Sequence, residues 1–174
     1  TAGNATDFGD ATNSAGGRFN ASSRTRSITA GGGTPTRINT IEFSTFSSTG
    51  NGQDFGDLTQ VGVGGGQTGL SNQTRGIFAG GYAYPNMFNA IDFITIASLG
   101  NSTDFGDLTS ARAGLNGTSN SIRGVFAAGI TPTYLNTMDF VTIATTGNAS
   151  DFGDFTTAGG DGAGTSDSHG GLAE

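Results

Sequence analysis

Apolar residues along this chain come in short bursts separated by glycine, asparagine and threonine. The bursts return on a beat of roughly fifty residues. The stretch from Arg75 to Ile122 shows one period most clearly. Gly76-Ile77-Phe78-Ala79, closed by Gly80-Gly81, predicts a first strand. Tyr82 to Phe88, with Pro85 inside it, reads as a loop. Ala90 to Ala97 predicts the second and longest strand. Ile91 and Phe93 fall on one of its faces and Ile94 and Ile96 on the other, because successive strand side chains alternate. A strand apolar on both faces is covered on both sides. Leu99-Gly100-Asn101 predicts a tight turn, glycine and asparagine being tolerant of positive φ. Phe105 to Thr109 reads as a third strand and the glycine-rich Ala111 to Ser119 as a weaker fourth. No long stretch carries the 3.6-residue period of a helix, and the commonest residues are poor helix formers.

The repetition is explicit. Asp7-Phe8-Gly9-Asp10 returns at Asp54-Phe55-Gly56-Asp57, Asp104-Phe105-Gly106-Asp107 and Asp151-Phe152-Gly153-Asp154, spaced 47, 50 and 47 residues apart. A Gly-Asn pair stands just before each copy. Arg26, Arg75 and Arg123 each open a first strand. Pro35, Pro85 and Pro132 each stand four residues before Asn39, Asn89 and Asn136. Ile41-Glu42-Phe43, Ile91-Asp92-Phe93 and Met138-Asp139-Phe140 follow. The chain divides into a half unit (1–25), units 26–74, 75–122 and 123–168, and a tail (169–174), about three and a half units. The expected fold is all-β, with four strands per unit.

Two resemblances follow from these residues. Phe78-Ala79-Gly80-Gly81 followed by Asn89-Ala90-Ile91-Asp92-Phe93 resembles a kelch repeat over nearly the whole chain, though Phe105 stands where kelch repeats usually carry tryptophan. That likeness implies β-propeller blades. Propellers close with ~4–8 blades, so the expectation is a partial propeller or a repeat fibre completed by oligomerisation. The pattern Arg75-Gly76-Ile77-Phe78-Ala79-Gly80-Gly81, Ile91-Asp92-Phe93, Asp104-Phe105-Gly106-Asp107-Leu108-Thr109 looks like repeats in tail-fibre and other virion proteins of marine bacteriophages, cyanophages especially. Ser166-Asp167-Ser168-His169-Gly170-Gly171-Leu172 looks like the end of such a protein. This resemblance implies a virion-surface, extracellular component that meets a host cell, with itself and other virion proteins as partners.

Composition narrows the chemistry. The chain has 174 residues, 32 glycines, no cysteine and a net charge of −7, and its seven cations are all arginine. An acidic chain lacks the basic face that nucleic acid requires, and it is not drawn to anionic membranes. Without cysteine there are no disulfides or thiolate metal sites. No apolar run is long enough for a membrane helix, and no signal-like segment opens the chain. A first residue of threonine implies processing or a larger parent chain. Thirteen phenylalanines at regular spacing oppose disorder, whose sequences are poor in aromatics.

Catalytic candidates are few. The four Asp-Phe-Gly copies lack the lysine and catalytic loop of a kinase. Gly64-Gly65-Gly66 lacks the lysine of a phosphate-binding loop. The single histidine, His169, sits in a Gly/Ser-rich tail without the orienting partners of a triad. The aspartate pairs, chiefly Asp54/Asp57 and Asp104/Asp107, are candidate calcium ligands. Against this, calcium takes about 6–8 oxygens, and the competing expectation is Asx turns that fix the hairpin. No catalytic or cofactor site is expected. Binding is expected at the least regular loops, which hold all three tyrosines: Tyr82, Tyr84, Asn86 and Tyr134 are the glycan-contact candidates, since aromatic faces stack on sugars. Structural roles fall to the repeated residues. Phe55, Phe105 and Phe152, with Phe43, Phe93 and Phe140, are expected between sheets. Arg26, Arg75 and Arg123 are expected to pair across repeats with Asp7, Asp10, Asp54, Asp57, Asp104 or Asp107. His169 replaces the arginine in the last copy, which should lack that contact at neutral pH.

The expected function is therefore a non-enzymatic phage virion protein, a tail-fibre or decoration module that contacts a host surface glycan. A cellular extracellular adhesin or filament subunit fits the same composition. A glycan-cleaving enzyme on a propeller scaffold would need one carboxylate pair set apart from the others, whereas every repeat has an equivalent pair.

Overall fold

The computed structural model describes residues 3–33, 35–60 and 67–164. Gly64-Gly65-Gly66, His169 and the Ser166–Leu172 motif lie outside them. The described chain is all-β without a helix, and it is built as repeating four-stranded units. No described helix is long and apolar enough to cross a membrane.

Three antiparallel meanders carry the fold. Sheet one joins β1 (Phe19–Ser22), β2 (Arg26–Ala30), β3 (Thr40–Thr45) and β4 (Gln53–Asp57). Sheet two joins β5 (Thr68–Ser71), β6 (Arg75–Ala79), β9 (Ala90–Thr95) and β10 (Thr103–Asp107). The predicted loop Tyr82–Phe88 contains the small hairpin β7 (Tyr82–Ala83) and β8 (Asn86–Met87). Sheet three joins β11 (Asn116–Ser119), β12 (Arg123–Ala127), β14 (Thr133–Thr142) and β15 (Ser150–Gly159), with β13 (Ile130–Thr131) paired to β14.

Each sheet takes its first strand from the residues just before the recurrent arginine, so a sheet straddles two sequence units. The reason is local. Asn72 Oδ1 accepts hydrogen bonds from the amides of Thr74 and Arg75 at 2.9 and 2.8 Å, and Asn120 does the same for Ile122 and Arg123. Such side-chain-closed turns force adjacent antiparallel pairing. Residues 7–10 carry the repeat motif but form no strand: among the described residues no strand equivalent to β3 lies beside them to pair with.

The first strands lie side by side, β1 against β5 and β5 against β11. Serines stitch them together. Ser71 Oγ donates to Ser22 O at 2.9 Å and accepts from Ser22 N at 3.1 Å, and Ser119 Oγ donates to Ser71 O at 2.8 Å. The cores lie between sheets. Ile41, Phe43, Phe55 and Leu58 of sheet one pack with Phe78, Ile94 and Ile96 of sheet two. Ile77, Ile91, Phe105 and Leu108 of sheet two pack with Phe126, Val141 and Ile143 of sheet three. The apolar alternation of β9 on both faces is thus used in full.

Of the six phenylalanines expected in the core, Phe43, Phe55 and Phe105 are buried, Phe93 and Phe140 are half-buried, and Phe152 is 49% exposed. The expectation fails at Phe152 because, among the described residues, no sheet packs across that face of sheet three. Phe105→Ala should therefore cost ~3–5 kcal/mol in urea unfolding, while Phe152→Ala should leave the midpoint almost unchanged.

Candidate functional site

Two sets of residues carry the chemistry of this surface: the clamps between sheets, and the tyrosine hairpin. The clamps begin with the acidic residue of the Ile-Glu-Phe, Ile-Asp-Phe and Met-Asp-Phe strands. Glu42, Asp92 and Asp139 are buried within otherwise apolar strands, where a carboxylate must be fully partnered. Asp92 accepts from Thr59 N at 2.9 Å, Thr59 Oγ1 at 2.6 Å and Ser102 Oγ at 3.1 Å. Asp139 accepts from Thr109 N and Oγ1 at 3.1 and 2.7 Å and pairs with Arg112 at 3.0 Å. Glu42 accepts from Thr12 N and Thr12 Oγ1 and pairs with Arg18 at 2.8 Å. In each case a strand carboxylate holds the threonine that follows an Asp-Phe-Gly-Asp copy of the preceding repeat. The sequence signal was present, an acid recurring inside an apolar strand, but its role was missed.

Burial pushes the Glu42 carboxyl upward. The hydrogen bonds from Arg18, Thr12 and Asn13, with the arginine's charge, outweigh that and hold it at about 2 against the usual 4.5. A lowered folded-state value means the stabilisation is complete above pH 4.5 and drains as pH falls toward about 2. The clamp on residues 8–13 should therefore loosen across that window. Proton NMR of the Thr12 amide through an acid titration checks it, and Glu42→Gln should flatten the transition.

The turns supply a second clamp. Gly100 N donates to Phe55 O and Ser102 N to Asp57 O, both at 2.8 Å, and Gly147 and Ala149 repeat this on Phe105 and Asp107. Asp57 N donates to Asn101 Oδ1 at 3.1 Å and Asp107 N to Asn148 Oδ1 at 3.0 Å. The aspartates thus contribute to the inter-repeat contact through their backbones. Asp7, Asp104 and Asp151 each accept the amide of the glycine two residues on, the Asx-type bond. Asp54 is exposed and Asp57 and Asp107 are half-buried. Among the described residues no three His, Cys, Asp or Glu groups converge as a cation site requires.

The arginines correct the expected pairing. Arg26, Arg75 and Arg123 do not meet Asp7, Asp10, Asp54, Asp57, Asp104 or Asp107: the ion pairs among the described residues are Arg18–Glu42 and Arg112–Asp139. Their guanidinium groups stack over Phe43, Phe93 and Phe140 at 4.6, 4.6 and 4.9 Å. The register explains it. Arg75 pairs with Thr95, so Phe93 is its diagonal neighbour on the same face. Arg26 Nη1 donates to Ile96 O at 2.7 Å and Arg75 Nη1 to Ile143 O at 2.9 Å. Arg26 and Arg75 thus do link one sheet to the next, through a carbonyl.

The tyrosine hairpin stands apart from this repeated machinery. Tyr84-Pro85 is a cis peptide. The rings of Tyr82 and Tyr84 meet edge-to-face at 6.3 Å, and Tyr84 is 82% exposed. Arg37, from the β2–β3 loop, lies 5.1 Å over the Tyr82 ring, and its Nη1 is buried without a hydrogen-bond partner. Arg37 was missed from sequence, yet it breaks the repeat, since Met87 and Tyr134 occupy the matching positions. Asn86 is exposed on the hairpin, and Tyr134 is exposed on β14 beside Gly160. Tyr82, Tyr84 and Asn86 are thus together; Tyr134 belongs to the next sheet.

No protein-family model matches this chain, and no curated protein matches it in sequence.

Proposed function

We propose that this chain is a non-enzymatic structural and binding module of a phage virion, contacting carbohydrate on a host surface through the Tyr82–Tyr84 hairpin. One observation carries the carbohydrate reading: a tyrosine 82% exposed, met edge-to-face by a second ring that is itself backed by an arginine. An aromatic face stacks on the apolar side of a sugar, while the tyrosine hydroxyl and exposed amide groups such as Asn86 bond its oxygens. The non-enzymatic reading is supported by the repeated carboxylates, which serve backbone and threonine partners in every unit. The virion assignment rests on the resemblance of the repeats to tail-fibre sequences.

Tyr84→Ala should lose glycan-array binding by about tenfold or more without lowering the melting temperature. Equal binding by wild type and variant would reject the hairpin as the site. Mass spectrometry of purified virions tests the location; absence of the chain there favours a cellular adhesin.

A further inference from the structure

The two outer faces of the three-sheet array are complementary halves of the contact used twice inside it. Each interior contact has a giving side. Its parts are the carbonyls of Phe55 and Asp57, the amide of Asp57, Thr59, and the guanidinium of Arg26, with Phe105, Asp107, Thr109 and Arg75 repeating them. Among the described residues, sheet three presents the same side uncovered. β15 is exposed along almost its whole length. Phe152 and Phe155 are 49% and 42% exposed, where their counterparts Phe105 and Leu108 are 2% and 3%. Gly153 keeps the unusual backbone angle of its counterparts, φ +128°. A side chain at Gly106 would strike Gly147 O at 2.5 Å, whereas at Gly153 the nearest atom is Met138 Cε at 4.0 Å. The strand is shaped for a backbone neighbour that no described residue supplies.

Sheet one presents the receiving side: the amides of Gly50 and Gly52, Asn51 Oδ1, and the Glu42 carboxylate. These are held by residues 8–12 of the same chain, through Phe8 O, Asp10 N, Asp10 O and Thr12. That segment is exposed throughout, with Phe8 at 42%, and Ala11 stands where Leu58 and Leu108 fill the interior contacts. Phe46, in the position of the buried Ile96 and Ile143, is 51% exposed.

We propose that sheet three docks head-to-tail on sheet one of a second copy of this chain, residues 151–156 displacing residues 7–12 of that copy. The motif displaced and the motif inserted are both Asp-Phe-Gly-Asp, so hydrogen bonds are exchanged like for like. The gain is burial of Phe152 and Phe155 and a carbonyl, that of Phe46, for Arg123. Thr29 and Ser44 replace Phe78 and Ile94 of the interior contact, so the association is reversible and concentration-dependent. A head-to-tail contact closes into a ring or extends as a fibre. The proposal uses none of the hairpin's residues and stands or falls apart from the carbohydrate reading.

The chain has no cysteine, which makes cross-linking clean. Asp57→Cys with Asn101→Cys in one chain should form an internal disulfide and validates the geometry. Asn51→Cys mixed with Asp154→Cys should then give a covalent dimer under mild oxidation, and neither variant alone should. Phe152→Asp should weaken self-association in sedimentation by about tenfold or more at unchanged melting temperature. Thr12→Ala, which loosens the resident segment, should strengthen it. A dimer from Asp154→Cys alone would mean symmetric pairing of third sheets and overturns the proposal. So does an uncross-linked mixture, or wild-type chain that stays monomeric at every concentration.

Discussion

Asp139→Asn should destabilise the chain by about 3–5 kcal/mol in urea unfolding. Asp139 and Arg112 form an ion pair at 3.0 Å with both side chains fully buried. Burial pushes Arg112 downward from its ordinary value, and the neighbouring carboxylate opposes that. Arg112 Nη1 donates to Ser110 Oγ at 3.1 Å and Nη2 to Phe126 O at 3.4 Å, neutral partners only. Removing the carboxylate's charge strands a guanidinium in the core. Asp92 occupies the same place in sheet two with hydroxyl and amide partners and no arginine, so Asp92→Asn should cost only about 1–3 kcal/mol. Equal costs at the two sites would show that the threonine clamp, rather than the ion pair, carries the energy. Replacing both partners by apolar residues (Arg112→Met with Asp139→Leu) should recover much of the loss, because a well-packed apolar pair avoids the desolvation of two charges.

Gly106→Ala should cost roughly 3–6 kcal/mol, and Gly153→Ala roughly 1–3 kcal/mol. Both glycines hold positive φ, +144° and +128°, where an alanine is strained. Only Gly106 has a backbone pressed against it. Its new Cβ would sit 2.5 Å from Gly147 O and push the turn away, breaking the bonds from Gly147 N to Phe105 O at 2.7 Å and from Ala149 N to Asp107 O at 2.8 Å. Thermal melts give the two costs, and amide exchange at Gly147 and Ala149 should rise only in the Gly106 variant. If the two substitutions cost the same, strain alone accounts for both and the turn clamp contributes little.

The strands themselves were legible. β6, β9 and β10 fall within two residues of the runs read from apolar alternation, because alternation and Gly-Asn turns act over neighbouring residues. The β7–β8 hairpin inside the Tyr82–Phe88 loop was not, since its strands are only two residues long and carry no alternation. The aspartates make the expected Asx-type bonds at Asp7, Asp104 and Asp151, whereas the arginines recur where expected but meet other partners. Opposite charge suggested Arg–Asp pairing, whereas the β6–β9 register places Arg75 diagonal to Phe93. In the candidate site, the two hairpin tyrosines were visible as breaks in the repeat. Arg37 was not, because it reaches Tyr82 from another sheet.

Local sequence therefore determined that this chain is all-β, with turns at Gly-Asn and four strands to a period. Tertiary structure decided which sheet each strand joins, which carboxylate meets which threonine, and which copy of a motif is buried. Phe55 and Phe152 make the last point. Both stand in Asp-Phe-Gly-Asp with the same backbone preferences, yet one is 3% exposed and the other 49%. Torsion angles and hydrogen-bonded turns are set by adjacent residues. Burial is set by whether another sheet stands across the face, and that neighbour is a whole repeat away in the chain.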